Sequence, residues 1–305
     1  MRVLLCVDLE GIAQIRSYRE LWGVFPEYED TGRPAATADT VAAIRGLRAG
    51  GATEITVCEV HGPVPDRIID VDELPGEATT IAEDELLRQL ARTRVAYDGV
   101  FLLGFHARAG TPNAFMSHTG GLNLHIAVDG HPITESHIWA WRAGAPVIGI
   151  TGDAALENQL DGMLEGTPFL GVKRALSRAE AEPLYTPEQS SAAIRAFAAW
   201  CAEHARDRER PRHPDRLLLS INLPPPIADL LDGQHGLRRT SPSVLACSVT
   251  DWWYEADPAV RAAQEISFTP WSDAARDPAR LQHYLTGWSS ESEADWIAGS
   301  GRRTV

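Results

Sequence analysis

The stretch Arg2-Val-Leu-Leu-Cys-Val-Asp8-Leu-Glu10-Gly11 decides the fold, because an apolar β-strand ends there on two carboxylates and a glycine. On a strand or its extension, a spacing of two residues points Asp8 and Glu10 to the same side. Two carboxylates this close together are unfavourable unless a cation neutralises them. Gly11 allows the chain to turn sharply away after the strand. The stretch therefore predicts a strand that delivers a pair of acidic ligands.

Two further strands end on a histidine. They are Glu54-Ile-Thr-Val-Cys-Glu-Val-His61 and Gly99-Val-Phe-Leu-Leu-Gly-Phe-His106, and each follows a predicted helix, near 36–48 and 82–93. Strands that alternate with helices predict an α/β fold with a doubly wound, mostly parallel sheet. Ligands bind such sheets outside the carboxyl ends of the strands.

A metal site is the prediction that follows from these strand ends. Taken alone, Asp8 and Glu10 fit a nucleotide- or magnesium-binding acidic pair of the flavodoxin type as well as they fit part of a larger metal site. A single histidine is more often a hydrogen-bonded polar residue than a metal ligand. Two carboxylates and two imidazoles at one edge of a sheet, however, are the ligands that a divalent metal prefers. Zinc fits this set, and manganese or cobalt fit it nearly as well.

The chain has room for more than one domain, since it contains 305 residues, 44% of them apolar. We predict a metal-binding catalytic α/β domain over residues 1–210, which ends in a charged, proline-containing linker. Strand-like segments near 216–223, 236–240 and 243–250 predict a smaller α+β second domain over residues 211–270. We expect the tryptophan-containing tail, residues 271–305, to wrap over the surface or to pack on a neighbouring subunit.

Composition excludes several classes of partner and location. The net charge of −14 argues against nucleic-acid binding. The sequence contains no stretch of about 18 apolar residues, so we expect no transmembrane helix. Its N-terminus lacks the pattern of a signal peptide. The four cysteines lie in apolar runs without CxxC spacing, which is typical of buried thiols in a reducing cytoplasm.

Four further side chains are candidates for functional roles. Glu135 opens a predicted helix, where a glutamate is also ordinary capping chemistry. His118 lies in a loop after the third strand, and such a loop could fold over a metal. Glu59 could orient the imidazole of His61. Lys173 is the only lysine of the sequence. A compositional bias explains the many arginines but not this one lysine. Lys173 could therefore supply a positive charge to a substrate carboxylate or an oxyanion.

Five separated sequence elements, in this order, resemble the DppA-type zinc D-aminopeptidases. They are Val7-Asp8-Leu9-Glu10-Gly11, His61, Gly104-Phe105-His106-Ala107, Met116-Ser117-His118-Thr119 and Gly130-His131-Pro132-Ile133-Thr134-Glu135. The similarity continues through Thr151-Gly152-Asp153 and residues 172–178, so it covers the first domain well and the second only loosely.

The resemblance implies a metallo-aminopeptidase that cleaves N-terminal amino acids, D-residues in particular, from short peptides or amides. It implies two zinc ions per chain, with Asp8 as the candidate to bridge them, and a catalytic histidine that would stabilise the oxyanion or pass a proton to the leaving amine. It also implies a ring-shaped homo-oligomer, a decamer in the best-known member, which the second domain would help to build. The implied metal ligands are Asp8, Glu10, His61, His106 and Glu135, and the implied catalytic residue is His118.

Two departures from the family pattern leave the substrate open. The family usually has a serine where this chain has Cys6, and often has Asp-Ser-His where this chain has Glu59-Val60-His61. The alternatives are a dinuclear metal phosphoesterase, which uses similar ligands, and an inactive, ring-forming metal-binding protein. No glycine-rich phosphate loop follows the first strand, and all five ligand types are intact, so both alternatives rank lower.

Overall fold

The computed structural model describes residues 1–62, 67–76, 78–93, 97–211, 215–274, 277 and 279. These residues form two compact units. The first unit consists of the described residues within 1–107, 112–116 and 136–211, and the second of residues 108–111, 117–135 and the described residues from 215 onward.

A seven-stranded sheet forms the centre of the first unit, as far as the chain is described. In spatial order its strands are β3 (Ala78–Ile81), β2 (Glu54–Glu59), β1 (Arg2–Val7), β4 (Gly99–Phe105), β7 (Val147–Asp153), β8 (Phe169–Ala175) and β9 (Ala181–Pro183). Neighbouring strands run parallel, except that β9 is antiparallel to β8. The predicted α/β class and mostly parallel sheet are confirmed.

The first strand occupies the middle of this sheet. Residues Val3–Val7 of β1 are fully buried, and β1 pairs with both β2 and β4. The chain proceeds from β1 outward to β2 and β3, and then returns to place β4 and β7 on the other side of β1. The strand order therefore reverses between β1 and β4, which is where open α/β sheets bind their ligands.

Helices cover both faces of the sheet. They are α1 (Arg33–Ala49), α2 (Glu83–Thr93), α3 (Glu135–Ala143) and α4 (Pro187–Glu203). Because parallel crossover connections are right-handed, α1 lies on the face opposite α2 and α3. Helix α4 packs closely on α1, since a β-carbon at Gly46 would lie 2.3 Å from the carbonyl oxygen of Arg195.

The second unit contains an antiparallel sheet and two helices, α5 (Pro225–Leu231) and α6 (Asp257–Ala274). In spatial order the strands are β11 (Arg238–Ser241), β12 (Val244–Val249), β10 (Leu217–Asn222), β5 (His125–Val128) and β6 (His131–Pro132). The smaller α+β part predicted from the sequence is therefore present.

The compact units divide the chain differently from the predicted domains. Strand β5 pairs with β10, with Val128 opposite Leu219, so residues 117–135 join the second unit although they precede residue 210. The pairing partner lies about 90 residues away along the chain, which a local pattern does not reveal.

Local patterns also predict an irregular segment over residues 62–81, a turn at residues 224–226 and a helix from about Pro132. The structure differs at each of these places. Strand β3 lies within residues 62–81. Pro225 opens α5, because proline is well suited to the first position of a helix. The helix α3 begins at Glu135.

Most of the predicted tail over 271–305 lies outside the described residues, including Trp288 and Trp296. No helix in the described part of the chain is long and apolar enough to cross a membrane.

Candidate metal centre

Four of the predicted ligands meet at the carboxyl ends of three neighbouring strands. Asp8 follows β1 directly, Glu10 lies two residues further, His61 follows β2, and His106 follows β4 directly. All four side chains are buried. The structure therefore brings together the residues that the strand pattern predicted, at the point where the strand order reverses.

Two glycines allow the ends of β1 and β4 to approach each other. The amide of Gly11 donates to the carbonyl oxygen of Gly104 at 2.7 Å. A β-carbon at Gly11 would lie 2.1 Å from the carbonyl oxygen of Phe105, and one at Gly104 would lie 2.2 Å from that of Asp8. Gly104 also has a φ of +78°, which favours glycine. Larger residues at these positions would push the segment from Asp8 to Ala13, hereafter the acidic loop, away from His106.

Asp8 lies between the two imidazoles. Its Oδ1 is 3.3 Å from Nδ1 of His61, and its Oδ2 is 3.2 Å from Nε2 of His106. Oε2 of Glu10 is 2.9 Å from the same Nδ1 of His61. One carboxylate thus offers one oxygen to each imidazole.

Backbone carbonyl groups set which ring nitrogen faces the carboxylates. Nε2 of His61 lies 3.3 Å from the carbonyl oxygen of Leu21, and Nδ1 of His106 lies 3.0 Å from that of Ala107. A carbonyl oxygen only accepts hydrogen bonds, so these two nitrogens carry the protons. Metal-binding histidines are oriented in the same way by their outer partners. In the neutral rings, the lone pairs of the other nitrogens face Asp8 and Glu10.

The pKa shifts show that this cluster favours a positive charge. Burial would raise the pKa of Asp8, but its close contacts with the imidazoles of His106 and His61 hold it well below its usual range. Burial and the charge of Asp8 raise the pKa of Glu10. Burial would lower the pKa of His61, but the two carboxylates raise it to about 10. The positive charge is supplied by a proton on His61 or by a metal cation in its place.

The residues present fit a metal ion. Ligand atoms of Asp8, Glu10 and His106 all lie within 4.8 Å of one another. Oδ2 of Asp8 and Oε1 of Glu10 are buried and accept no hydrogen bond from the described residues. Buried charged oxygens are costly unless they are hydrogen-bonded or bind a cation.

The remaining two predicted site residues lie in the second unit. Nε2 of His118 is 3.7 Å from Oε1 of Glu135, and both side chains are buried. The amide of Gly120 donates to the same oxygen of Glu135. The segment that leads to His118 has a strained backbone, because Met116 has a φ of +45°.

The structure assigns different roles to two sequence candidates. Glu59 does not orient His61: its Oε1 accepts a hydrogen bond from the amide of Ile69, and Leu21 contacts the ring instead. Nζ of Lys173 is buried and donates to the carbonyl oxygen of Glu10 at 2.7 Å, so it is not placed to receive a substrate carboxylate. Burial lowers the pKa of Lys173 to about 7.

Sequence reasoning missed one residue that supports the acidic loop. Oδ2 of Asp39, in α1, accepts a hydrogen bond from the amide of Ala13 at 2.9 Å. Burial raises the pKa of Asp39 to about 7, against the effects of that hydrogen bond and of Lys173. A signal was available: Asp39 shares the apolar helical spacing of Ala36 and Ala43, and a carboxylate on a buried helix face needs a partner.

The sequence is similar to known proteins. The D-aminopeptidase family model matches residues 1–256. A D-aminopeptidase of Bacillus subtilis (strain 168) is 27% identical over 230 residues, which cover 72% of this chain and 81% of the relative.

A solved structure has the same fold. It is the zinc-dependent D-aminopeptidase DppA from Bacillus subtilis, described as a self-compartmentalizing protease, with a TM-score of 0.79 and 23% sequence identity. The similarity covers 88% of this chain and 98% of that one. Because the family model matches well over half of the sequence, this chain belongs to the D-aminopeptidase family.

Proposed function

We propose that this protein is a zinc-dependent aminopeptidase that removes N-terminal D-amino acids from short peptides or amides. The observation that carries the proposal is the pair of imidazoles whose outer nitrogens are bound to backbone carbonyls while their inner nitrogens face Asp8 and Glu10. Family membership and the zinc-dependent structural relative support zinc as the metal.

We propose five ligands for two zinc ions: Asp8, Glu10, His61, His106 and Glu135. Four of them form the buried cluster of the first unit. The fifth rests on the family resemblance and on the burial of the Glu135 carboxylate in the second unit. Bound zinc would polarise the scissile carbonyl and lower the pKa of the attacking water.

His118 is the proposed catalytic residue. Its Nε2 is 3.7 Å from Oε1 of Glu135, and a nearby carboxylate stabilises the protonated imidazole. A proton held at Nε2 can be passed to the leaving amine, which becomes a better leaving group when protonated. The strained backbone at Met116 would help to hold the loop in one conformation.

The first experiment measures zinc content and amine release together. Zinc-loaded protein is offered matched D- and L-aminoacyl peptides and amides. His106→Ala should lose zinc, whereas His118→Ala should keep zinc and lose about 10²–10⁴-fold in turnover. His131→Ala is the matched control, because His131 is an exposed histidine of the same unit as His118.

Three results would count against parts of this proposal. Wild-type turnover in His118→Ala removes that residue from the mechanism. Cleavage of L-substrates alone removes the stereochemical assignment. Zinc binding without cleavage of any peptide or amide favours a phosphoesterase, and a phosphate-ester panel then tests that alternative.

We also propose that the protein is cytoplasmic and forms a ring-shaped homo-oligomer of ten subunits. The four cysteines are free thiols, which suits a reducing compartment. The structural relative is self-compartmentalizing, and Leu218 and Tyr254 of the second unit are large exposed apolar side chains. Light scattering coupled to size exclusion measures the subunit number, and a monomer would contradict the assembly.

A further inference from the structure

Lys173 is a buried charged side chain to which the proposed chemistry gives no function. Lys173, in β8, is fully buried and is the only lysine of the chain. Burying an ammonium group is costly, and even a buried ion pair can often be replaced as a whole by apolar residues of similar size with no loss of stability. Stability therefore does not explain why a lysine occupies this position.

The contacts of Lys173 point to the metal cluster. Nζ donates to the carbonyl oxygen of Glu10 at 2.7 Å and lies 4.2 Å from the centre of the Phe115 ring. Asp153 is opposite Lys173 in the pairing of β7 with β8, and its Oδ2 accepts a hydrogen bond from the amide of Phe115 at 2.9 Å. Lys173 thus joins the acidic loop to Phe115 and β7 within the first unit.

The acidic loop is held at Glu10 and at two of the residues that follow it. Lys173 binds the carbonyl oxygen of Glu10, the amide of Gly11 donates to Gly104, and the amide of Ala13 donates to Asp39. The carboxylate of Glu10 is attached to this fixed backbone and lies 2.9 Å from His61. Release of the Glu10 carbonyl would free the peptide plane next to the carboxylate and change its position.

We propose that Lys173 is a positioning residue that holds the Glu10 carboxylate in place through the Glu10 carbonyl and thereby sets the zinc affinity of the site. The inference rests on the proposed function, because it takes Glu10 to be a metal ligand. It assigns Lys173 no contact with the substrate.

The test compares Lys173→Met with Arg174→Met. Methionine preserves much of the length of lysine without its donor, and Arg174 is the next residue of β8 but is exposed and pairs with Glu182. Zinc affinity is measured by competition with a chelator of known affinity. We expect Lys173→Met to bind zinc about 10–100-fold more weakly, as is usual when an outer partner of a ligand is lost, and Arg174→Met to match the wild type.

Two further readouts separate positioning from a general structural role. The visible absorption of cobalt(II)-loaded protein reports the ligand geometry and should change in Lys173→Met but not in Arg174→Met. The melting temperature of the metal-free protein should fall by a few degrees in Lys173→Met, because the buried carbonyl of Glu10 loses its donor, and the cooperative transition shows that the variant is folded when its zinc affinity is compared. Folded Lys173→Met with wild-type zinc affinity and an unchanged cobalt spectrum would overturn the proposal.

A measurement on the wild type keeps the proposal testable if Lys173→Met does not fold. Labelling with ε-¹³C-lysine gives a single lysine signal, because the sequence contains one lysine. This signal should shift on addition of zinc, and an unchanged signal in zinc-bound protein would overturn the proposal. A wild type that binds no zinc contradicts the proposed function itself, whereas equal binding by wild type and variant contradicts only the role of Lys173.

Discussion

Substitution of Gly11 by alanine tests whether the close approach of β1 and β4 builds the metal cluster. The new β-carbon would lie 2.1 Å from the carbonyl oxygen of Phe105 and 2.5 Å from the carbonyl carbon of Gly104. Both are backbone atoms, so no side-chain rotation relieves the overlap. An ordinary contact needs about 3.4 Å, so the loop and the end of β4 must separate by about 1.3 Å.

A shift of this size affects both stability and metal binding. It would lengthen the 2.7 Å hydrogen bond from Gly11 to Gly104 and move Asp8 away from His106, which is now 3.2 Å distant. Overpacking of this kind costs about 1–3 kcal/mol, which corresponds to a fall of a few degrees in the melting temperature. A displacement of about 1 Å in a catalytic group costs on the order of 10²-fold in activity.

The assay measures the melting temperature of the metal-free protein, the zinc affinity by chelator competition, and kcat/KM on a D-aminoacyl peptide. Gly76→Ala is the matched control, since its added β-carbon would meet no atom of the described residues within 4 Å beyond its own chain neighbours. We expect Gly76→Ala to retain wild-type zinc affinity and kcat/KM. Gly11→Ala with wild-type zinc affinity and kcat/KM would refute the argument that this close approach places Asp8 beside His106.

Three further substitutions test other parts of the structure. Gly46→Ala should lower the melting temperature, because the new β-carbon would lie 2.3 Å from the carbonyl oxygen of Arg195. This overlap should outweigh the helix propensity of alanine, which favours it over glycine by about 1 kcal/mol. A higher melting temperature would contradict this packing of α1 on α4. Phe101→Ala should cost about 3–5 kcal/mol by thermal or urea unfolding, because Phe101 is fully buried and packs edge-on against Phe197; a loss under 1 kcal/mol would contradict it. Between pH 4 and 7 the folded wild type keeps a proton on Asp39, whose pKa is raised to about 7, whereas the unfolded chain releases that proton near pH 4. The wild type therefore loses stability as the pH rises, and Asp39→Asn, which does not titrate, should gain stability relative to it. A difference in melting temperature that does not depend on pH would contradict this reasoning.

Local patterns predicted the first unit better than the second. Strands β1, β2 and β4 are short apolar runs that alternate with helices, so their type and order follow from periodicity alone. Strand β5 carries a similar local signal, but its pairing with β10 depends on a distant part of the chain. Residues 117–135 consequently belong to the second compact unit, although they precede the linker at which the sequence suggests a boundary.

The role of Lys173 shows the same limit at the level of one side chain. Composition singled out this residue, and a lysine near a proposed catalytic site suggests a contact with the substrate. Its actual partner is a backbone carbonyl 163 positions earlier in the chain. Such a partner carries no side-chain signal, because every residue has a carbonyl group.

The sequence by itself determined that Asp8, Glu10, His61 and His106 lie at one edge of a parallel sheet. The physical reason is that parallel strands end on the same side, so residues that follow them are brought to a common edge. The tertiary structure alone decided that β4 lies next to β1, that Gly11 and Gly104 bring their ends together, and that the carbonyls of Leu21 and Ala107 orient the two imidazoles. These features depend on contacts made to backbone atoms, mostly of residues far apart in sequence, and such contacts leave no local pattern.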